Sequence, residues 1–410
     1  MTRFLLRRAR GFSLVELMVS VVIGMLALLF ATRLVISGEA NKDAAVGGSD
    51  AMQNGMLALF SLSGDASAAG WGLNDGSVAG CNTTFADSNG YQLLTAKRDG
   101  VDVTPLAGVV IQSNGANPDV ISFNSGSSQA GVGSVKMIAN YTGGPVITVE
   151  SNNPYGFNNG DVLVVAASTL GPPCTLIQMS GFNPAAGQWN QMLVNAGNAY
   201  RFNPTSGMAQ SYLQNATFVY NLGQPNLLHF HTWSVRNGIL LLRATELQGA
   251  SAAPVSVVDN VVSIKAQYGF DTRVGAAYSA SPAGNSKIKA AVQNGAPVGT
   301  TGMQVGQWSS TIINADSDAE TGGPGDYQRI AAVRIAVVAR SKTAEKPGTD
   351  GKCTATTALP QVFTAAAPSN VPAVPIEVNV AVAGDPQDWR CYRYRVFETI
   401  VPLLNAQFIP

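Results

Sequence analysis

An almost uninterrupted apolar segment near the N-terminus constrains this chain more than any other feature of its sequence. The segment covers residues 12–32. Its polar residues are Ser13, Glu16, Ser20 and Thr32. At about 1.5 Å of rise per residue, a helix of this length crosses the roughly 30 Å hydrocarbon core of a bilayer. We therefore expect a transmembrane helix over residues 12–36.

Basic residues before the segment predict its orientation. They are Arg3, Arg7, Arg8 and Arg10. The end of the segment next to these arginines should stay in the cytoplasm, so that the chain after the segment crosses outward. A secretory signal peptide carries its small-residue cleavage site after the apolar core. Here the small residue, Gly11, comes before it. Cleavage at Gly11 would remove residues 1–11 as a leader and leave the helix on the mature protein.

Gly11, Phe12 and Glu16 resemble the class III signal of type IV pilins and of type II secretion pseudopilins. In that family a prepilin peptidase cuts after the glycine, and the new N-terminal phenylalanine is N-methylated. The resemblance therefore implies cleavage between Gly11 and Phe12, methylation of Phe12 and an assembly role for Glu16. An unpaired carboxylate in hydrocarbon costs at least about 2–3 kcal/mol. Its expected partner is the free amine of a neighbouring subunit. An ordinary signal anchor with a stray glutamate is the weaker interpretation, because all three residues stand at the family's offsets.

The composition is typical of a secreted, loop-rich β protein. Charged residues make up 12% of the chain, and glycine occurs 43 times. The formal net charge is +0, so the chain has no overall basic field that would attract nucleic acid. Nucleic acid is therefore not an expected partner.

The four cysteines, Cys81, Cys174, Cys353 and Cys391, lie far apart without a CxxC spacing. Outside the inner membrane they would meet an oxidising compartment, where two disulfides are expected and three pairings are possible. We favour Cys81–Cys174 and Cys353–Cys391, because each pair joins sequence neighbours among the four. A zinc site with cysteine ligands is disfavoured, since neither histidine of the chain lies near a cysteine in sequence.

A second helical pattern follows the apolar segment. Its apolar residues, Met52, Met56, Leu59 and Phe60, have the spacing of one helix face. We expect this stripe to be buried against a globular domain. Glycines such as Gly55 weaken a helix by about 1 kcal/mol each relative to alanine. The predicted helix, residues 12 to about 63, is therefore either continuous or interrupted.

The remaining chain predicts short strands. β-Branched runs separated by Asn, Gly, Ser and Pro clusters occur at residues 109–112, 120–123, 135–139, 146–150 and 162–167. Residues 227–235 and 239–245 predict a hairpin, because Asn237 and Gly238 between them form a strong turn signal. The expected fold class is α+β: a long N-terminal helix, transmembrane and then amphipathic, followed by a β-rich pilin-like head with long loops. We assign residues 37–70 to the amphipathic helix and junction, and residues 71–410 to a periplasmic or extracellular head of one or two subdomains.

Later motifs narrow the resemblance to the PilW family of type IV pilus minor pilins. They are the junction Gly70-Trp71-Gly72 with Gly80-Cys81 beyond it, the step Tyr268-Gly269-Phe270-Asp271, the run Ala331-Ala332-Val333-Arg334-Ile335, and Arg393-Tyr394-Arg395-Val396-Phe397-Glu398-Thr399 near the C-terminus. The family commonly ends in an arginine–asparagine pair, where this chain has Leu404-Asn405.

The resemblance implies a non-enzymatic minor pilin that takes part in priming pilus assembly and in the tip complex. The implied partners are other minor pilins, the major pilin, the prepilin peptidase and a large pilus-tip adhesin. The protein would sit in the inner membrane by a single span and then reach the pilus tip at the cell surface. Two alternatives remain open: a J-type pseudopilin of type II secretion, and a membrane-anchored periplasmic hydrolase.

Three further groups of residues could carry chemistry. Asp316, Asp318 and Glu320 alternate like the start of a calcium loop, but glycine and glutamate are missing from the later positions of that pattern. We favour a solvated loop without a cofactor and keep calcium as the alternative. His229 and His231 would share one face of a strand and could bind a metal. Since the sequence shows no third ligand, we favour two half-buried strand histidines.

The stretch Cys391-Tyr392-Arg393-Tyr394-Arg395 interleaves aromatic and basic residues, as some nucleic-acid surfaces do. A half-buried strand predicts the same alternation, with the cysteine and arginines on one face. We favour the strand, because the chain has no basic excess.

Overall fold

The computed structural model describes residues 13–407 except 74, 128–132, 153, 186, 198–199, 248, 275–291, 294–295, 298–301 and 349. Gly11 and Phe12 lie outside the described residues. One helix, α1 (Leu14–Ala68), precedes a head built mainly of strands. The predicted α+β class is confirmed, and α1 runs without interruption through Gly55.

The first part of the head contributes thirteen described strands. These are β1 (Cys81–Thr84), β2 (Ala96–Arg98), β3 (Val101–Val103), β4 (Pro105–Leu106), β5 (Val109–Asn114), β6 (Asn117–Ser125), β7 (Ser134–Lys136), β8 (Val146–Thr148), β9 (Val162–Ala167), β10 (Cys174–Gln178), β11 (Gly181–Phe182), β12 (Gln191–Leu193) and β13 (Thr217–Gly223).

The second part contributes eleven more within the described ranges. These are β14 (His229–Arg236), β15 (Ile239–Ala244), β16 (Val255–Asp259), β17 (Val261–Phe270), β18 (Val292–Gln293), β19 (Ala296–Pro297), β20 (Gln307–Ser309), β21 (Ile330–Arg340), β22 (Gln361–Val362), β23 (Ile376–Glu377) and β24 (Tyr394–Pro402). A one-turn helix, α2 (Pro324–Tyr327), precedes β21, and short 3₁₀ turns lie at Pro225–Leu227, Trp389–Cys391 and Leu404–Gln407.

A four-stranded antiparallel sheet, in the order β20-β17-β21-β24, lies at the centre of the head. Every residue of β17 and of β21 is buried, as expected of strands covered on both faces. One face, which includes Val333 and Ile335, packs in the same core as α1. The other face, which includes Ala336, packs against Phe363 and its neighbours.

A five-stranded antiparallel sheet, in the order β16-β15-β14-β6-β5, shares that core with α1. A fully buried ion pair, Lys265 on β17 with Asp119 on β6, joins the two sheets. The Lys265 ammonium also donates to the carbonyls of Gly115 (2.8 Å) and Asn117 (3.0 Å). All three ammonium protons therefore have acceptors, which buried charges require.

Five further sheets belong to the described head, and three of them are the two-stranded pairs β2-β3, β18-β19 and β22-β23. A six-stranded sheet has the order β4-β1-β10-β9-β13-β7, and a three-stranded sheet has the order β11-β12-β8. Residues on the two faces of β9 enter two separate cores: Val164 joins Leu176 and Phe230, whereas Val165 joins Met179 and Met192. The alternation along this strand reflects its burial on both sides.

The strands that the sequence predicts are present, with shifted ends. β5 and β6 are longer than predicted, β14 begins at His229 instead of residue 227, and β9 matches residues 162–167. Asn237 (φ 52°) and Gly238 (φ 73°) close the β14–β15 hairpin in the left-handed conformation that such two-residue turns need. The apolar run over residues 255–270 is two strands, because Asn260 at φ 60° separates β16 from β17.

Candidate functional site

The first part of α1 presents an unbroken apolar surface. Leu14–Ile36 is long and apolar enough to cross a membrane, by length and composition, and none of it is buried in the isolated chain. Ser20 and Thr32 direct their hydroxyls back to carbonyls of their own helix, at 2.9 Å from Leu17 and Leu28. These bonds allow two polar side chains to lie in an apolar segment without unsatisfied donors.

Glu16 lies in the first turn of this apolar segment. Its carboxylate accepts a hydrogen bond from the backbone N–H of Ser13 at 3.2 Å, as the third residue of a capping box does. The side chain is exposed in the isolated chain. Thus the carboxylate remains accessible to a cationic group of another chain.

The second part of α1 packs on the head through small residues. Every third or fourth residue is buried, in the order Ala51, Gly55, Ala58, Leu62, Ala66 and Ala69. Four of these are alanines, so the helix axis can approach β21 and β24 closely. This is the stripe that attaches the helix to the head.

The predicted buried stripe is wrong. Met52, Met56 and Phe60 are 46%, 56% and 76% exposed, and Leu59 is half-buried against the core. Five of the six residues of the buried stripe are alanine or glycine, so the space between helix and sheet is narrow, and Leu62 is the one large side chain of the stripe. As a result, a second apolar face of α1 points away from the head.

Gly55 shows how closely α1 approaches β24. A Cβ atom at this position would lie 2.0 Å from Cε2 of Phe397 on β24, well inside van der Waals contact. Phe397 therefore rests directly on the helix backbone. The glycine that the sequence indicates as a weak point of the helix is the place where the terminal strand docks.

Asn405 holds the end of α1. Its side-chain amide donates to the carbonyls of Ala68 and Ala69, both at 3.1 Å. The last carbonyls of a helix have no partner within the helix, so these bonds satisfy two of them. The asparagine of the Leu404-Asn405 pair thus caps the helix although the family's arginine is absent beside it.

The two disulfides join the pairs that we favour from the sequence. Cys81 on β1 is bonded to Cys174 on the neighbouring strand β10, and Cys353 is bonded to Cys391. The second bond ties the loop after β21 to the 3₁₀ turn that precedes β24. Both bonds fit a head that matures in an oxidising compartment.

The acidic loop uses its carboxylates on its own backbone. Asp316 accepts from the N–H of Asp318 at 3.2 Å, and Asp318 accepts from the N–H of Glu320 at 2.7 Å. Glu320 lies 3.9 Å from the guanidinium of Arg98. This geometry fits the solvated loop, and the calcium alternative stays a prediction.

The strand histidines differ from each other. The His229 side chain is 48% exposed, whereas His231 lies between two carboxylates. Its Nδ1 is 2.7 Å from Asp65 on α1, and its Nε2 is 2.6 Å from Glu246. Burial lowers the pKa of His231, but the hydrogen bonds to Asp65 and Glu246 outweigh burial and raise it to about 9. Sequence reasoning missed both acids, because neither is close to the histidines along the chain.

The terminal aromatic and basic stretch is only partly a strand. Cys391 ends the 3₁₀ turn Trp389–Cys391, and Cys391 and Tyr392 are both buried, so the predicted alternation does not hold there. It begins at Arg393, which is exposed and paired with Glu345. One of the two arginines of this stretch is therefore paired with an acid, and Arg395 is exposed.

The geometry thus defines a class: a pilin-like protein, with an apolar N-terminal helix that docks its second part on a β-rich head. Residues 6–32 match the prokaryotic N-terminal methylation motif. Residues 233–405 match the PilW family, described as Type IV Pilus-assembly protein W. These two matches confirm the predicted resemblance to PilW-type minor pilins, although the PilW match covers less than half of the chain; that family indicates a structural component of the pilus. No curated protein and no solved structure was found to match the chain.

Proposed function

We propose that this protein primes pilus assembly and takes part in the complex at the pilus tip. The observation that carries the proposal is the surface of α1. Apolar side chains cover it from Leu14 to Ile36 and continue on its outer face at Met52, Met56 and Phe60. Side chains of this size are rarely exposed together unless another surface covers them. We infer that helices of other pilins cover them in the assembled filament.

In this bundle, Glu16 sets the position of α1 along the neighbouring helices. The carboxylate would pair with the free amine of a neighbouring subunit, since an unpaired charge in a bilayer or bundle is costly. We further propose that prepilin peptidase cuts between Gly11 and Phe12 and that Phe12 is methylated. Other minor pilins and the major pilin would be the lateral partners, and a large adhesin would bind the head.

In this role the protein moves from the inner membrane to the pilus tip. α1 would hold it in the inner membrane with the head in the periplasm, where the disulfides form. Assembly would then carry the head to the pilus tip. Because the described head contains four sheets of three or more strands beside the single long helix α1, a position at the end of a filament suits it better than a position along the shaft.

The test is Glu16→Ala in the native strain, measured by pilus yield and by co-isolation of other pilins with this subunit. We expect the variant to be processed and inserted but to lose both. Intact mass of the variant checks that it begins at Phe12, which separates a cleavage defect from an assembly defect. Ser20→Ala is the matched control, because it also removes a polar group from the apolar segment. Normal piliation with stable Glu16→Ala would contradict the proposal.

Position in the filament needs its own measurement. Antibody against the head, followed by gold labelling and electron microscopy of sheared pili, should label one end of each filament. Label distributed along the shaft would contradict a tip position while leaving membership of the filament intact.

A further inference from the structure

The β14–β15 hairpin brings three potential metal ligands together at its open end. His229 and His231 are two residues apart on β14, so their rings share one face of the strand. Glu246 follows β15, which pairs with β14 through His231 and Ala244. The ligand atoms of the two histidines and of Glu246 all lie within 4.8 Å of one another.

These distances are close to what a small cation needs. Zn²⁺ binds histidine nitrogen and carboxylate oxygen at about 2.0–2.2 Å, which places tetrahedral ligands roughly 3.4 Å apart. Glu246 Oε1 lies 3.7 Å from Nδ1 of His229 and 2.6 Å from Nε2 of His231. Side-chain movements of less than about 1 Å would therefore bring these atoms to the separations that tetrahedral Zn²⁺ ligands have.

Asp65 supplies a feature that metal-binding histidines usually have. A histidine ligand typically gives its other ring nitrogen to a carboxylate, which orients the ring and makes it a better ligand. The Asp65 carboxylate is 2.7 Å from Nδ1 of His231 and also accepts from the indole N–H of Trp233 at 2.7 Å. The carboxylate is thereby held in place, and it leaves Nε2 of His231 directed at Glu246.

The charge balance also favours a dication. Asp65 and Glu246 carry two negative charges beside His231. Within the described residues, neither of them forms an ion pair with Lys or Arg. A divalent cation at Nε2 of His231 would take the place of one ring proton and balance both carboxylates. The ligand set of two histidines and one carboxylate suits first-row ions such as Zn²⁺, not Ca²⁺ or Mg²⁺.

We propose that His229, His231 and Glu246 bind one Zn²⁺ ion, with Asp65 as the positioning residue behind His231. His229 is exposed, so the fourth coordination position opens to solvent and takes water. Because Asp65 belongs to α1, the ion stabilises the contact between the helix and the head. This site is independent of the proposed role in pilus assembly.

The test uses the full chain, purified in detergent without a histidine tag and stripped with chelator. Titration with Zn²⁺ should show one site, and Co²⁺ should give the visible absorption of a low-coordinate ion. His229→Ala should weaken Zn²⁺ binding at least tenfold and remove the Co²⁺ spectrum. This variant leaves the contacts of His231 with Asp65 and Glu246 intact, so folding is not at risk. Because the chain has two histidines, binding that depends on histidine can arise only from this pair.

Two further variants complete the test. Asp65→Asn should weaken binding by about 10–100-fold, as loss of a carboxylate behind a ligand does. Asp318→Asn in the acidic loop is the matched control and should bind Zn²⁺ like the unmodified chain. Absence of one-site binding in the unmodified chain, or equal affinity in His229→Ala, would overturn the proposal.

Discussion

Asp271 illustrates how the fold sets the behaviour of one side chain. It ends the step Tyr268-Gly269-Phe270-Asp271, and its side chain is fully buried. The carboxylate pairs with Arg273 and accepts from the backbone N–H of Gln304 at 3.0 Å. Burial raises the pKa of this carboxyl, but the bonds from Arg273 and Gln304 outweigh burial and hold it below its ordinary value.

A lowered pKa in the folded state predicts a direction of pH dependence. The contribution of Asp271 to stability is full above the ordinary carboxyl pKa of about 4 and is lost as pH falls through the lower, folded value. Asp271→Asn should therefore lower the free energy of unfolding at pH 7 and flatten its decline below pH 4. Denaturant titrations at several pH values measure both effects. The exposed Asp259→Asn is the control, and an unchanged acid slope in Asp271→Asn would contradict the assignment.

Sequence reasoning at this scale succeeds where the chemistry is local. Gly11, Phe12 and Glu16 lie within six residues of one another, and residues 6–32 match the N-terminal methylation motif; the roles assigned to the three residues stay predictions. Glu246 and Asp65 could not be assigned to the histidines from sequence. The β14–β15 hairpin folds the first onto them, and α1 delivers the second from more than 160 residues away.

The helix α1 shows where a pattern of hydrophobicity misleads. Its second part carries two apolar stripes, one of small residues and one of large residues. Hydrophobicity favours the large stripe, because Met and Phe bury more area than Ala. The choice between them depends instead on the distance to the sheet, which the helix sequence does not contain. Gly55, taken from sequence as a helix weakness, is the residue that permits this distance.

Gly55→Ala tests this arrangement. Its methyl group would overlap the ring of Phe397, so we expect a loss of about 1–3 kcal/mol in the free energy of unfolding, as overpacking typically costs. Gly64→Ala is the matched control: it lies on the same helix with open space around it. That control should gain about 0.5–1 kcal/mol, because alanine favours helix over glycine.

A second substitution isolates the contact. In a Phe397→Ala background the added methyl group has room, so Gly55→Ala should cost far less than in the unmodified chain. Equal costs in both backgrounds would show that the helix does not approach β24 as described. Chemical denaturation of the purified chain in detergent measures each step of this cycle.

The whole molecule combines a region that matches PilW with one that does not. The matched residues, 233–405, contain the strands β17, β21 and β24 that carry α1. The six-stranded and three-stranded sheets lie entirely before residue 233. Strand patterns predicted many of these elements, but not which sheet each would join, because pairing partners are far apart in sequence. The domain boundaries assigned from sequence stay a prediction.

Each region has its own disulfide, and the two disulfides should contribute differently to the free energy of unfolding. Cys81–Cys174 closes a loop of 93 residues within the unmatched sheets, whereas Cys353–Cys391 closes one of 38 residues beside β24. Paired Cys→Ala replacement should cost about 2–5 kcal/mol for either bond, and on the order of 1 kcal/mol more for the longer loop. Denaturation of the two double variants measures this, and non-reducing peptide mapping checks connectivity. Free thiols or a Cys174–Cys353 bridge would contradict the pairing.

The small-residue stripe of α1 has a mechanical consequence. In the proposed filament, tension would pull on this subunit along α1 and would enter the head between Ala51 and Ala69. Because the helix lies along β21 and β24 rather than ending on them, the pull acts in shear on many contacts at once. Cys81–Cys174 and the sheets around it lie off this path. The part of the head that lies outside the PilW match can therefore vary in shape without weakening the part that bears load.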